Sequence, residues 1–93
     1  MIRHIVFFKI KNEEEQSELV WYLNSLKHKI DFIQNLEIGE NFTTSERAYD
    51  VSLIADFENE ADLKTYATHK DHMPLVAFLK ENKIQTKVVD YAI

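Results

Sequence analysis

The stretch IRHIVFFKIK, Ile2 to Lys11, carries apolar bulk on both sides if it is extended, and this double-sidedness governs the reading of the whole chain. Successive side chains of a strand point to opposite faces. Ile2, His4, Val6, Phe8 and Ile10 therefore fall on one side, and Arg3, Ile5, Phe7, Lys9 and Lys11 on the other. A strand with one face packed and one face in water would place polar residues at the centre of its second row. Ile5 and Phe7 stand there instead, so something must cover each face. Lysines interrupt the stretch early and no small-residue cleavage site follows, so it reads as a strand of the mature protein rather than a leader.

Working outward, Asn12 followed by Glu13, Glu14 and Glu15 is a helix start. Asn can cap, Glu15 holds the capping-box position, and the acids complement the helix dipole. The helix runs to about Lys29, with Leu19, Tyr22, Leu23, Leu26 and Ile30 as its apolar stripe and Trp21 projecting on the other side. Leu36 to Thr44 reads as a second strand containing the only glycine, Gly39, which marks a bulge or a close approach. Tyr49 to Phe57 is a third, one-sided strand. Asn59 and Asp62 repeat the cap signature for a short helix ending near His69. Asp71, with Pro74 in the first turn, opens another that reaches about Asn82. Ile84 to Ile93 alternates as the last strand.

The order is thus βαββαβ with its second helical segment broken in two. The fold class this predicts is α+β, a ferredoxin-like four-stranded antiparallel sheet with helices on one face and strand one central. At 93 residues the chain spans one domain, residues 1–93. Its other sheet face would carry Ile5, Phe7, Ile54, Val89, Tyr91 and Ile93, a patch better explained as an interface than as bare surface. A homodimer through the sheet face is the expectation.

Composition narrows the function classes. Hydrophobic residues make up 45% and charged residues 29%, a globular balance with no apolar run long enough for a membrane span. A net charge of -5 without a basic cluster argues against nucleic acid as a partner. Cysteine is absent, which removes disulfides and thiolate chemistry and suits a cytoplasmic location.

Histidines hold the chemistry. In ATHKDHMPLVAFL, Ala67 to Leu79, His72 shares the core-facing side of its helix with Leu75, Val76 and Leu79. Matching the apolar faces of the first and last strands sets His4 opposite Asp90, Val6 opposite Val88 and Phe8 opposite Thr86. Tyr66, one turn before His69, can reach the same space. His4, Asp90, His72 and Tyr66 then form a polar cluster at one end of an apolar layer. A carboxylate fixes an imidazole's tautomer and raises its basicity, as acid–base work near neutral pH requires. Such a cluster can equally satisfy itself within the core. His69 is expected to bond the terminal carbonyls of its helix. HKDH spans a helix break with no third ligand nearby, so no metal site is expected.

Together these residues resemble the stress-responsive α/β-barrel family, or Dabb domain, of the dimeric α+β barrel superfamily. The likeness rests on MIRHIVFFKIK, on LEIGENFTTSERAYDVSLIADFENEADLKTYATHKDHMPLVAFL and on VVDYAI. The resemblance implies a ferredoxin-like fold paired sheet to sheet into a barrel, loose links to stress, and for most members no known reaction. A plant branch of polyketide cyclases works without a cofactor, using histidines that match His4 and His72 and a tyrosine that matches Tyr66. Lys70 and Asp71 depart from the usual continuation after His69, and IDFI replaces the usual IPGI after the first helix. The expected protein is a cofactor-free homodimer holding a small apolar or aromatic ligand against Val6, Phe8, Val51, Leu53, Val76 and Leu79. His4, Tyr66, His72 and Asp90 would be its polar contacts. A cyclase or isomerase using His4, His72 and Tyr66, and a purely structural dimer without a pocket, are the alternatives.

Overall fold

The computed structural model describes residues 1–93 and builds them around β1 (Ile2–Lys9). β1 pairs antiparallel with β3 (Val51–Phe57) on one side and with β4 (Gln85–Ala92) on the other. β2 (Asn35–Glu40) extends the sheet beyond β3, giving the order β2-β3-β1-β4. This is the expected ferredoxin-like βαββαβ arrangement. The β1–β4 register sets His4 against Asp90, Val6 against Val88 and Phe8 against Thr86, as matching the apolar rows requires.

The helices form for local reasons and dock for apolar ones. In α1 (Glu13–Lys29) the Asn12 side chain accepts from the Glu15 N–H, and the Glu15 carboxylate accepts from the Lys11 N–H. The reciprocal bond thus reaches one residue further back than a standard capping box. Leu19, Leu23, Leu26 and Ile30 are at most 1% exposed. At about 1.5–3 kcal/mol for each fully buried large side chain, this stripe is a main source of stability. Trp21 stays exposed, edge-on to Tyr22. α2 (Glu60–Thr68) is capped by Asn59 accepting from the Asp62 N–H. α3 (Met73–Glu81) carries Pro74 in its first turn.

Several boundaries differ from those expected. β2 ends at Glu40 rather than Thr44: the Asn41 N–H still donates to the Asp50 carbonyl, while its side-chain amide donates to the Thr43 carbonyl in the turn that follows. Its pairing with β3 is regular through Gly39, so no bulge sits there. β3 starts at Val51 rather than Tyr49. Just before it, Asp50 ties to β1 by donating its N–H to the Phe8 carbonyl and accepting the Ile10 N–H on its carboxylate. Asp71 does not cap α3; His72 occupies that position without a side-chain cap bond. The turn from α3 into β4 is made by Lys83 at φ 51°, left-handed without a glycine.

The two faces of the sheet differ. Val6, Phe8, Val51, Leu53, Ala55 and Phe57 lie under the helices and are at most 6% exposed. The opposite face has no cover: Phe7 is 45% exposed, Val89 50% and Tyr91 42%, with Ile5 and Ile54 half-buried between them. At one end of this face Arg3 makes two bonds to Asp56, at 2.8 and 2.9 Å, and Asn35 adds a third. The guanidinium holds the Asp56 carboxyl below its ordinary range. The helix layer stops short of β4, whose residues are exposed along the whole strand, Val88 on the helix side included.

Candidate functional site

The break between α2 and α3 builds the site. α2 ends because His69 takes an extended conformation, with its N–H donating to the Tyr66 carbonyl, and the His72 N–H then donates to the His69 carbonyl. This tight turn swings His72 back beside Tyr66. The expected terminal-carbonyl bond is made, but by the other histidine. His72 Nδ1 donates to the Ala67 carbonyl at 3.2 Å, while His69 Nδ1 accepts the Asp71 N–H at 3.0 Å. The HKDH spacing lets the second imidazole fold over the helix end, and the first is left to brace the turn.

Tyr66, 2% exposed, lies between two imidazoles. Its ring centroid is 4.3 Å from that of His72 and 5.8 Å from that of His4, the latter edge-on. Phe57 packs on it at 5.0 Å, and Phe32 in turn contacts Phe57 and His69. Phe32 was not singled out in the sequence; DFIQN reads as a plain connection, and only the fold brings it to the junction. His4 Nδ1 bonds the Asp90 carboxylate at 2.5 Å, across the expected strand pair. The four residues of the proposed cluster are therefore together.

Electrostatics sets their protonation. Burial pushes the Tyr66 phenol up, well above its usual range, so it stays protonated. Desolvation holds the His72 imidazole below its ordinary 6.5, opposed by the bond to Ala67 and reinforced by His4 and His69 nearby. His72 is therefore neutral at pH 7. The Tyr66 hydroxyl and the Nε2 atoms of His4 and His72 have no hydrogen-bond partner within the chain, and no buried polar side-chain atom is left unsatisfied, so these three atoms meet accessible space.

The expected apolar floor is different in kind. Val6, Phe8, Val51 and Leu53 are packed core, at 6, 1, 2 and 1% exposure, while Val76 and Leu79 are half-buried above them. Open space lies instead along the first half of α2, sharing only Asp90 with the cluster. A cleft of about 350 Å³ runs between α2 and the ends of β1 and β4, with Ile2, Leu63, Ala92 and Asp90 among its walls and Glu60 and Lys64 at its rim. Asp90 thus belongs both to the His4 pair and to the cleft. No three histidine, cysteine or acidic side chains gather in a way that could hold a metal ion. No helix is long and apolar enough to cross a membrane.

Helices on one face of an antiparallel β2-β3-β1-β4 sheet, with a largely apolar face left open, define a ferredoxin-like α+β domain. The chain belongs to the stress responsive A/B barrel domain family, Dabb, whose profile matches residues 2–93. It is 30% identical over 79 residues to a stress-response A/B barrel domain-containing protein of Arabidopsis thaliana, covering 82% of this chain and 30% of that one. The chain thus spans less than a third of that relative's length. Among solved structures it resembles a dimeric protein of unknown function with a ferredoxin-like fold from Bacteroides fragilis. The TM-score is 0.80 and the identity 30%, over 99% of this chain and 95% of that one. A dimeric ferredoxin-like protein of unknown function from Thermobifida fusca matches with TM-score 0.84 and 23% identity, over 99% and 90%.

Proposed function

We propose that this protein is a homodimer closed through the open sheet face, and that each protomer binds a small apolar or aromatic molecule at the junction of α2, α3 and β4. The dimer reading is supported by the exposed row of Phe7, Val89, Tyr91 and Ile93 around Ile5 and Ile54, and by the dimeric relative from Bacteroides fragilis. The observation that carries the ligand reading is Tyr66 held between two imidazoles, with Asp90 shared between the His4 pair and an open cleft. Ligand sites pair apolar walls with a few convergent polar groups. At about 350 Å³ the cleft suits a molecule of one ring. The ligand enters along Ile2 and Leu63, with His4, Tyr66, His72 and Asp90 as polar contacts. Val6, Phe8, Val51 and Leu53 stand behind as packed core, with the half-buried Val76 and Leu79 above them. The absence of cysteine supports a cytoplasmic setting.

A second reading is favoured by the protonation states. A neutral imidazole beside a protonated phenol is the pairing a cofactor-independent cyclase or isomerase of polyketide-like substrates needs, His72 as base and Tyr66 or His4 as proton donor. Turnover with a bell-shaped pH profile, lost in His72→Ala, distinguishes it from binding alone. The filled floor favours a third, a structural dimer in which the cluster only packs.

A thermal-shift screen of the wild type and His72→Ala against small aromatic and polyketone-like compounds tests the proposal. A ligand at a hundred times its Kd adds about 2.7 kcal/mol, a rise on the order of 10 °C for a domain of this size. A rise lost in His72→Ala supports the site. Compounds that stabilise both proteins equally bind elsewhere, and a flat screen moves weight to the structural dimer.

A further inference from the structure

Resting on the dimer reading above, we infer that the loop between β2 and β3 is an arm exchanged between protomers, with Phe42 of each packing on the partner's Val88 at the β4 edge. Two apolar side chains that a plain sheet-to-sheet contact leaves in water call for it. Phe42 is 97% exposed. The loop presents it in a fixed place: the Asn41 N–H donates to the Asp50 carbonyl and the Asn41 side-chain amide to the Thr43 carbonyl, so the backbone is pinned on either side of the ring. Val88 is 56% exposed and lies on the helix side of β4, opposite Val6 and away from the open face. A second sheet on the open face covers neither, unless its loop reaches round the edge.

The charges of the open face select the edge to which that loop comes. Glu37 stands on β2 beside Ile54, and Lys87 on β4 beside Phe7, so they mark opposite edges of this face. Neither has an ion-pair partner in its own chain. The other charges are taken up locally, Arg3 by Asp56 and Lys9 by the Ala48 carbonyl. Two copies face to face are related by a two-fold axis between the sheets, running either along the strands or across them. An axis across the strands lays each edge on its own copy, acid over acid and lysine over lysine, which electrostatics disfavours. An axis along the strands sets the β2 edge beside the partner's β4 edge, and Glu37 meets the partner's Lys87 on both sides of the dimer. That axis also keeps the loop level with the end of β4 it must reach. Phe42 is two residues past Glu40, the end of β2. Those two residues span up to about 7 Å, more than the roughly 4.8 Å between strands, so the ring can pass round the edge to Val88.

The chain has no cysteine, so introduced thiols report proximity without background. Within one protomer β2 and β4 are three strand spacings apart, about 14 Å, too far for a disulfide. Oxidation of the Phe42→Cys/Val88→Cys variant is therefore expected to give a covalent dimer on a non-reducing gel, and neither single variant should. If the wild type is dimeric by light scattering but the double variant stays unbridged, or Phe42→Cys bridges alone as readily, the arm is overturned and the dimer stands. A monomeric wild type overturns the dimer reading and the inference with it. Dimer dissociation constants give a second readout without thiols. Phe42→Ser should weaken the dimer about tenfold or more, because the two-fold axis counts each ring twice; an unchanged constant overturns the contact. Glu37→Lys and Lys87→Glu should each weaken the dimer and, combined in one chain, restore it. A combination no tighter than the single variants overturns the placement of the edges.

Discussion

Phe7 and Phe8 are the same residue one position apart, yet Phe8 is 1% exposed and Phe7 45%. The difference is the two sides of one strand: Phe8 looks into the helices, Phe7 into the space where a second sheet would pack. Burial on the first side is intrinsic to the protomer, and burial on the second has to be supplied from outside. The largest expected effect follows. Phe8→Ala should cost about 3–5 kcal/mol, against a total of about 5–15 kcal/mol for a typical domain, and leave the chain barely folded. Phe7→Ala should leave the folded protomer in place and weaken association, so its urea midpoint falls and depends less steeply on protein concentration than the wild type's as dimer gives way to monomer. Equal, concentration-independent losses in both variants would erase the distinction between the faces. Phe7→Glu and Ile54→Lys sharpen it, since a charge at the centre of a sheet-to-sheet contact should yield monomer or insoluble protein; an unaltered dimer by light scattering would sink the interface.

The faces also differ in how they hold their titrating groups. On the open face Asp56 is kept charged by the Arg3 guanidinium, and on the covered face His72 is kept neutral by desolvation. Both have folded pKa values below their ordinary 3.8 and 6.5. A depressed folded pKa gives stability that is present above the unfolded value and lost as pH falls through the folded one. Acid should therefore weaken the protein in two windows, one opening below about pH 6.5 for His72 and one below about pH 4 for Asp56. The effect is intermediate in size. Melting temperatures across pH should lose the upper step in His72→Gln and the lower one in Asp56→Asn. If His72→Gln leaves the upper step intact, another group carries it.

The same contrast explains what was legible in the sequence. Alternation along Ile2 to Lys11 announced both faces, and matching apolar rows set the β1–β4 register that joins His4 to Asp90. The cluster followed from that register and from helical spacing at His72. What the sequence did not convey depends on contacts made across the fold. Imidazole roles at HKDH were exchanged because either ring can reach a helix-end carbonyl, and only the turn geometry chooses His72. The cleft lies beside β4 rather than over Val6 and Phe8, because periodicity says which residues face the helices but not how far the helices extend.

The smallest effect tests the open face most finely. Gly39 sits there opposite Ser52, and a Cβ added to it would come 2.9 Å from the Ser52 Oγ. The obstacle is a single hydroxyl on a rotatable side chain, and its displacement costs about 0.5–1.5 kcal/mol at most. Alanine returns about 0.5–1 kcal/mol by being less flexible than glycine in the unfolded chain. Gly39→Ala should thus change stability by less than about 1 kcal/mol, and the double variant with Ser52→Ala should be neutral or slightly stabilising. Both follow from chemical denaturation. A loss above about 2 kcal/mol in Gly39→Ala that Ser52→Ala relieves would mean the serine has nowhere to turn. In a dissociated protomer the serine has room, so a loss that grows with protein concentration would show the second sheet of the dimer packed against it.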